Sequence, residues 1–67
     1  MGLNKMNQIK EYRKKKRLTQ VQLGEKLRVA QSTVAMWETG RSMPRTDLLP
    51  ELACLLDTTI DDLFKRR

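Results

Sequence analysis

The hydrophobic positions of this chain recur at helical spacing. Apolar side chains three or four residues apart lie on one face of a helix, and the first half of the chain has such pairs at Ile9 and Tyr12, Leu23 and Leu27, and Val34 and Trp37. No segment shows the strict alternation of apolar and polar residues that is typical of a half-buried strand. The pattern predicts an all-α fold, a compact bundle of five short helices.

The second half of the chain predicts the last two helices. The apolar face of the fourth helix is expected to comprise Leu49, Leu52, Leu55 and Leu56, with Ala53 allowing close packing. Two starts fit this helix, since Thr46 is a suitable N-cap and Pro50 a suitable first helical residue. Cys54 is predicted to be a small, partly buried hydrophobe. Asp57 and Thr58 are expected to end the helix.

The final helix is expected to begin after Thr59, with Asp61 and Asp62 in its first turn, where acidic side chains are favoured. Its inward-facing side chains are predicted to be Ile60, Leu63 and Phe64. Residues 7–64 are therefore interpreted as one domain. Residues 1–6 are expected to form a flexible N-terminal arm before it, and residues 65–67 a basic C-terminal tail.

The first helix is expected to begin near Asn7, a good N-cap, and to continue to Lys16, with Leu18 closing its buried stripe. Its last turns carry the basic run of residues 13–17. Cations there interact favourably with the negative end of the helix dipole, so the run has a structural explanation. Contact of residues 14–16 with phosphates is the alternative.

A specific signal marks the start of the second helix. Thr19 followed three residues later by Gln22 is a capping-box pattern. Gln20, the first helical residue, extends beside exposed backbone N–H groups that form a natural phosphate site. Gly24 stands in mid-helix, where glycine costs up to about 1 kcal/mol relative to alanine. Close approach of a crossing helix would explain that glycine.

The turn after the second helix, residues 27–30, lacks the glycine or asparagine that a tight helix C-terminus favours. Arg28 is therefore expected to adopt a left-handed conformation at some cost. Ala30 is a poor N-cap for the helix that follows.

The third helix, from Gln31 to about Thr39, is predicted to have two different faces. At about 100° per residue, Val34 and Trp37 share the buried side. The outward residues are Gln31, Ser32, Ala35 and Met36, a small and uncharged surface suited to the major groove of DNA. Gly40 is the expected left-handed stop.

Glu38 falls at the edge of the buried side of the third helix, where a carboxylate needs a partner. Arg13 on the first helix is predicted to supply that partner in a structural ion pair.

Composition narrows the possible functions. The 67 residues carry a formal net charge of +6, which favours a polyanionic partner, nucleic acid before an anionic membrane, unless the excess charge only aids solubility. One cysteine and no histidine exclude an internal disulfide and a zinc-finger ligand set, so we expect no metal and no cofactor. Without a catalytic constellation or a phosphate-binding glycine loop, we expect no enzyme activity.

The lone cysteine and the lack of a signal-peptide hydrophobic region favour a cytoplasmic setting. No apolar run approaches the roughly 20 residues needed to cross a bilayer, so no membrane partner is expected.

From Ile9 to Phe64 the sequence resembles the lambda-repressor-like, or Xre-type (Cro/cI-type), helix-turn-helix DNA-binding proteins of bacteria and phages. The resemblance lies in IKEYRKKKRLTQ, LGEKL, QSTVAMWETG, LPELACLL and TIDDLF. Thr-Gln at the start of the second helix together with Trp-Glu-x-Gly closing the third, at this spacing, is a specific signal.

The resemblance implies a five-helix bundle whose third helix enters the major groove. It implies base contacts by Gln31, Ser32, Ala35 and Met36, and phosphate contacts by Gln20, Arg28, Thr33, Arg41, Ser42 and Arg45. Gln20 would also brace Gln31, and the ion pair of Arg13 and Glu38 matches a frequent family pair.

The chemistry of the outward residues differs. Gln31 suits a bidentate contact with adenine N6 and N7, or else is simply a solvated polar residue. Ala35 and Met36 cannot hydrogen-bond a base but can touch thymine methyl groups. For Met36, a surface that binds a partner protein is an equal alternative.

Three positions depart from the family pattern. The family often has glycine at the positions of Arg17 and Arg28, and serine or threonine at that of Ala30. Both arginines are either additional phosphate contacts or tolerated turn residues.

The leading hypothesis is a sequence-specific transcriptional regulator, a repressor that binds double-stranded DNA at a palindromic operator as a homodimer, with recognition helices about 34–36 Å apart. Leu56, Ile60 and Phe64 would form the dimer interface or else fill the monomer core. Regulation would then come from its own concentration, from competition with polymerase or from a regulatory protein partner. The alternative is an antitoxin or protein-interaction module that neutralises a partner protein and autoregulates its operon. A co-purifying partner would distinguish the two.

Overall fold

The computed structural model describes residues 8–64, and every regular element in that range is helical. The helices are α1 (Ile9–Lys15), α2 (Gln20–Leu27), α3 (Gln31–Thr39), α4 (Leu49–Leu55) and α5 (Ile60–Leu63), with a 3₁₀ turn (Thr46–Leu48) before α4. The predicted all-α fold with five short helices is confirmed. None of the helices in this range is long and apolar enough to span a membrane.

One hydrophobic core joins all five helices. Each helix contributes a side chain that is 0% exposed, namely Ile9, Leu23, Val34, Leu52 and Leu63. Trp37 is 2% exposed, which confirms its predicted place in the core. Because so short a chain buries little surface, every helix has to contribute to the same core.

The start of α1 lies beside the end of α5. The N-cap is Gln8, whose side chain caps nothing, while its backbone N–H donates to the Leu63 carbonyl oxygen at 2.6 Å. The cap expected at Asn7 lies outside the described residues, as do the predicted arm (1–6) and basic tail (65–67).

The capping box at α2 is confirmed. The Gln22 backbone N–H donates to Thr19 Oγ1 at 3.0 Å, and the Thr19 backbone N–H donates to Gln22 Oε1 at 2.9 Å. Thr19 is also extended, as an N-cap residue should be. These two bonds fix where α2 begins.

Gly24 is explained by crowding, but the neighbour is not the crossing helix that the sequence predicted. A Cβ at this position would lie 2.7 Å from the Val29 carbonyl oxygen and 3.5 Å from the Ala30 carbonyl carbon. The close neighbour is therefore the turn backbone before α3. That turn is tied to α2 by the Val29 N–H, which donates to the Gly24 carbonyl oxygen at 2.9 Å.

The start of α4 differs from both predicted starts. Thr46 opens the 3₁₀ turn without capping it, and Pro50 is the second residue of α4. The 3₁₀ turn advances three residues per turn instead of 3.6 and so changes which side chain faces inward. Leu48 and Leu49 are both half-buried, but Leu48 packs against the core, whereas Leu49, predicted for the buried face, is not one of the described side chains that do so.

Two further predictions about burial are wrong. Cys54, expected to be partly buried, is exposed, because Leu52, Ala53 and Leu56 already form the inner side of this short helix. Ile60, expected to face inward, is 37% exposed, because it opens the four-residue helix α5 and only Leu63 of that helix is fully buried.

Gly24→Ala is expected to lower the free energy of unfolding by roughly 1–3 kcal/mol, although alanine favours a helix by about 1 kcal/mol over glycine. The added Cβ meets the Val29 carbonyl oxygen, so the turn backbone has to move. Chemical denaturation measures the change. Glu25→Ala, at an exposed neighbouring position in α2, is the control and should change stability by less than about 0.5 kcal/mol. Increased stability of Gly24→Ala would contradict this account of the turn.

Candidate nucleic-acid interface

Helix α3 has one buried and one exposed side, as predicted. Val34 and Trp37 are buried. The four residues predicted to contact bases occupy the other side: Gln31, Ser32 and Met36 are exposed and Ala35 is half-buried. The helix starts after Ala30, which is extended but makes no side-chain cap bond. Gly40 ends the helix in the expected left-handed conformation, with φ +82°.

The predicted ion pair between α1 and α3 is confirmed. Arg13 Nε donates to Glu38 Oε2 at 2.6 Å, and Arg13 Nη2 donates to Glu38 Oε1 at 3.1 Å. The third donor, Nη1, reaches the Leu18 carbonyl oxygen at 2.7 Å. The two side chains are only 10% and 3% exposed. A pair this well enclosed is strongly destabilising to break, because either partner alone leaves a buried, uncompensated charge.

Two glutamines extend this pair to the surface of α3. Gln20 Nε2 donates to Glu38 Oε1 at 3.0 Å, and Gln31 Nε2 donates to Gln20 Oε1 at 2.6 Å. The second bond gives the bracing of Gln31 that the family resemblance implied. The first bond, between Gln20 and the buried carboxylate, was not predicted from the sequence.

The loop after α3 folds back on the end of that helix. The Arg41 and Ser42 backbone N–H groups both donate to the Met36 carbonyl oxygen, at 2.9 and 3.3 Å. Arg41 is exposed and Ser42 half-buried. Arg45 lies further along and has its Nε 3.4 Å from Asp47 Oδ1. Both members of that pair are more than 70% exposed, and such pairs contribute at most about 1 kcal/mol, so Arg45 can exchange Asp47 for another anion.

A shallow groove lies between the end of α1 and the starts of α2 and α3. It is lined by Arg13, Lys14, Arg17, Leu18, Thr19, Gln20, Val21 and Gln31. Besides Arg13, which is paired with Glu38, the groove therefore brings two cations, Lys14 and Arg17, beside two of the predicted contact residues. Lys15 is different, since its Nζ lies 5.0 Å from the centre of the Tyr12 ring. Nothing in the run of like charges distinguishes Lys14 from Lys15, so this difference could not be predicted.

Arg17 and Arg28 both have left-handed backbone conformations, with φ of 60° and 63°. This confirms the expectation for Arg28. It also gives a physical reason for the glycines often found at both positions in lambda-repressor-like proteins, because left-handed geometry costs an L-residue roughly 1–2 kcal/mol. Both arginine side chains are exposed, and so is Ala30, the residue before α3, whereas Thr33 on α3 is half-buried.

Within residues 8–64, no group of histidine, cysteine or acidic side chains has the arrangement of a metal site. The arrangement is instead one of amides, hydroxyls and guanidinium groups around an uncharged helix face. Such groups donate hydrogen bonds to phosphates and to base edges.

Known proteins share this sequence pattern. A family model described as helix-turn-helix matches residues 9–63. The chain is 34% identical over 56 residues to the HTH-type transcriptional activator BcrR of Enterococcus faecalis. It is 38% identical over 61 residues to the HTH-type transcriptional regulator AnsR of Bacillus subtilis (strain 168). These alignments cover 84% and 91% of this chain. They cover 28% and 53% of the relatives, so the chain spans only part of either protein.

Solved structures share the fold. A candidate DNA-binding protein from Bacteroides fragilis superposes with a TM-score of 0.79 at 29% identity, covering 87% of this chain and 94% of that one. Bacillus thuringiensis PlcR, solved in complex with the peptide PapR7 and DNA, superposes with a TM-score of 0.73 at 36% identity. That match covers 85% of this chain and 20% of PlcR.

Arg28→Gly is expected to raise the free energy of unfolding by up to about 1 kcal/mol. Glycine removes the cost of the left-handed backbone, and its greater freedom in the unfolded state offsets part of the gain. Lys26→Gly, the same kind of change at a helical position of α2, is the control and should lower stability by about 1 kcal/mol. Thermal or chemical denaturation measures both. A less stable Arg28→Gly protein would mean that the arginine side chain makes contacts worth more than its backbone strain.

Proposed function

Because the chain belongs to the helix-turn-helix family, we propose that it is a sequence-specific transcriptional regulator that places α3 in the major groove of double-stranded DNA. The observation that carries the proposal is the setting of Gln31. Gln31 is exposed in the first turn of α3, and its Nε2 donates a hydrogen bond to Gln20 Oε1 at 2.6 Å, which fixes the amide in place. A braced amide at the start of a recognition helix is suited to reading a base edge.

In this proposal the exposed side of α3 reads the sequence. Gln31 accepts a hydrogen bond from adenine N6 and donates one to N7, and the Ser32 hydroxyl bonds to a neighbouring base. Ala35 and Met36 lie one turn further along and contact thymine methyl groups. The lack of charge on this side fits a surface that enters a groove between two phosphate backbones.

Polar groups around α3 hold the DNA backbone and set the position of the protein. The proposed phosphate contacts are Gln20, Arg28, Thr33, Arg41, Ser42 and Arg45. The net charge of +6 supports this arrangement, because cations that neutralise phosphates release condensed counterions. Such contacts fix the register of the protein on DNA without specifying its sequence.

We further propose that the regulator binds a palindromic operator as a homodimer. Specific sites are distinguished from non-specific DNA by about 4–10 kcal/mol, whereas a good bidentate base contact supplies about 1–3 kcal/mol. The base contact of a single Gln31 therefore supplies too little discrimination, and a dimer doubles the number of base contacts. Of the three interface candidates, Leu56 is only 1% exposed and Phe64 packs on the core, so Ile60, 37% exposed, is the strongest.

Repression is the proposed outcome in the cytoplasm of a bacterial cell, since a protein that occupies a promoter excludes polymerase. The proposal includes no catalytic step, in keeping with relatives named as transcriptional regulators. One of them is named an activator. A reporter gene downstream of the operator would show whether this protein represses or activates transcription.

Selection of duplexes from random DNA at fixed salt is expected to enrich a palindrome. Its half-sites should be about 10–10.5 base pairs apart, or a multiple of that, because the two recognition helices lie on one face of the duplex. Sequencing of the bound pool gives the motif, and sedimentation of the complex gives its stoichiometry. A motif without two-fold symmetry, bound by one copy, would contradict the dimer. No enriched motif would contradict sequence-specific binding.

Gln31→Ala is expected to weaken binding to the selected duplex by roughly 1–3 kcal/mol and to leave binding to a scrambled duplex unchanged, because it removes a base contact. For Gln31→Ala, the slope of log affinity against log salt concentration should equal that of the wild type, because no phosphate contact is lost. Arg41→Ala, the contrasting control, should weaken both duplexes alike and reduce the slope by about 0.9, the value for one phosphate contact. Fluorescence anisotropy over a salt series measures all three proteins. Equal losses on both duplexes for Gln31→Ala would assign Gln31 to a backbone or structural role.

A further inference from the structure

Four polar side chains form one hydrogen-bonded path from the interior to the exposed side of α3. The path runs from Arg13 to Glu38, then to Gln20, then to Gln31. We propose that Glu38 sets the direction of the whole path and is thereby a positioning residue that determines which way the Gln31 amide faces the DNA. This inference rests on the proposed function and assigns base specificity to a residue that touches no DNA.

The first step concerns the chemistry of the carboxylate. An ionised carboxylate can only accept hydrogen bonds. Glu38 accepts two from Arg13, and its Oε1 also accepts one from Gln20 Nε2 at 3.0 Å. The Glu38 side chain is 3% exposed, which leaves little room for water to replace these donors. Gln20 is therefore obliged to turn its NH₂ group, and not its oxygen, toward Glu38.

The second step passes that direction to the surface. A glutamine amide has its donors on nitrogen and its acceptor on oxygen. With its nitrogen committed to Glu38, Gln20 offers Oε1 to its other neighbour. Gln31 meets an acceptor and must donate, which it does through Nε2 at 2.6 Å. The orientation of Gln31 thus follows from the charge on Glu38, two hydrogen bonds away.

The third step concerns what is left for DNA. One N–H of Gln31 is used by Gln20, so the free groups are Oε1 and the second N–H. Adenine presents a donor, N6, beside an acceptor, N7, in the major groove, and this pair complements the free acceptor and donor of Gln31. A reversed amide would present them in the opposite order. Hydrogen bonds that involve a charged group are stronger than neutral ones, so the Gln20–Glu38 bond suits the role of anchor.

The first experiment uses the duplex that the wild-type protein selects, together with a set of duplexes in which each base pair is changed in turn. Discrimination at a base pair is the ratio of the affinities for the selected and the changed duplex. Glu38→Gln replaces the obligate acceptor by a group that can also donate. It should reduce discrimination at the base pair read by Gln31 about tenfold, within the range of one bidentate contact. Glu25→Gln is the matched control, because it makes the same change of charge at an exposed position of α2. It should discriminate as the wild type does.

Gln20→Met provides the second variant. It breaks the path but keeps both bonds between Arg13 and Glu38, so the fold is retained. Gln20→Met should reduce discrimination at the base pair read by Gln31 as much as Glu38→Gln does. The double variant Gln20→Met/Glu38→Gln should lose no more discrimination than either single variant, because both changes interrupt the same path. Additive losses, or unchanged discrimination in either folded single variant, would overturn the proposal. A lost phosphate contact by Gln20 would lower affinity for all duplexes alike and leave discrimination intact.

Nuclear magnetic resonance of the free wild-type protein tests which amide donates each hydrogen bond along the path. It needs neither DNA nor a variant that risks unfolding. Couplings across hydrogen bonds should join Gln20 Nε2 to the Glu38 carboxyl carbon and Gln31 Nε2 to the Gln20 side-chain carbonyl carbon. Coupling from Gln20 Nε2 to the Gln31 carbonyl carbon would be the reverse direction and would overturn the proposal.

The two experiments separate this inference from the proposed function. If the wild type enriches no motif, the function fails while the couplings still show whether Glu38 orients Gln31. If the wild type discriminates between base pairs and folded Glu38→Gln discriminates equally well, the inference fails and the function stands.

Discussion

The Glu38 carboxylate lies among three N–H donors from two other helices, and the placement of α3 against α1 depends on its ion pair with Arg13. Arg13 approaches from α1 and Gln20 from α2, while Glu38 itself belongs to α3. Loss of one partner of a buried pair costs about 3–5 kcal/mol, a large share of the roughly 5–15 kcal/mol that stabilises a typical domain. A shift of α3 relative to α1 would disturb this pair and the braced surface amide together.

Features that depend on adjacent residues could be predicted from the sequence. The Thr19 capping box, the left-handed Arg28 and the Gly40 stop each follow from the backbone chemistry of a single turn. The pairing of Arg13 with Glu38 could also be predicted, although 25 residues separate them, because a carboxylate at the edge of a buried helix side needs a partner. Helical periodicity correctly placed Val34 and Trp37 in the core.

Other features depend on how the helices are turned and packed, which no local rule supplies. One 3₁₀ turn exchanges Leu48 for Leu49 at the core, and the shortness of α4 and α5 leaves Cys54 and Ile60 exposed. At the candidate site, the exposed side of α3 could be predicted from helical periodicity. The bond from Gln20 to Glu38 could not, because it depends on the angle at which α2 crosses α3.

The hydrogen bond between the Gln8 N–H and the Leu63 carbonyl oxygen joins the two ends of the described fold. Any polypeptide attached before α1 or after α5 would therefore leave the domain at nearly the same place. A force applied through either attachment would act on both α1 and α5, because this hydrogen bond joins them. A longer chain that contained this domain would thus connect to α1 and α5 at a single point, and α1 carries Arg13, the partner of Glu38 on α3.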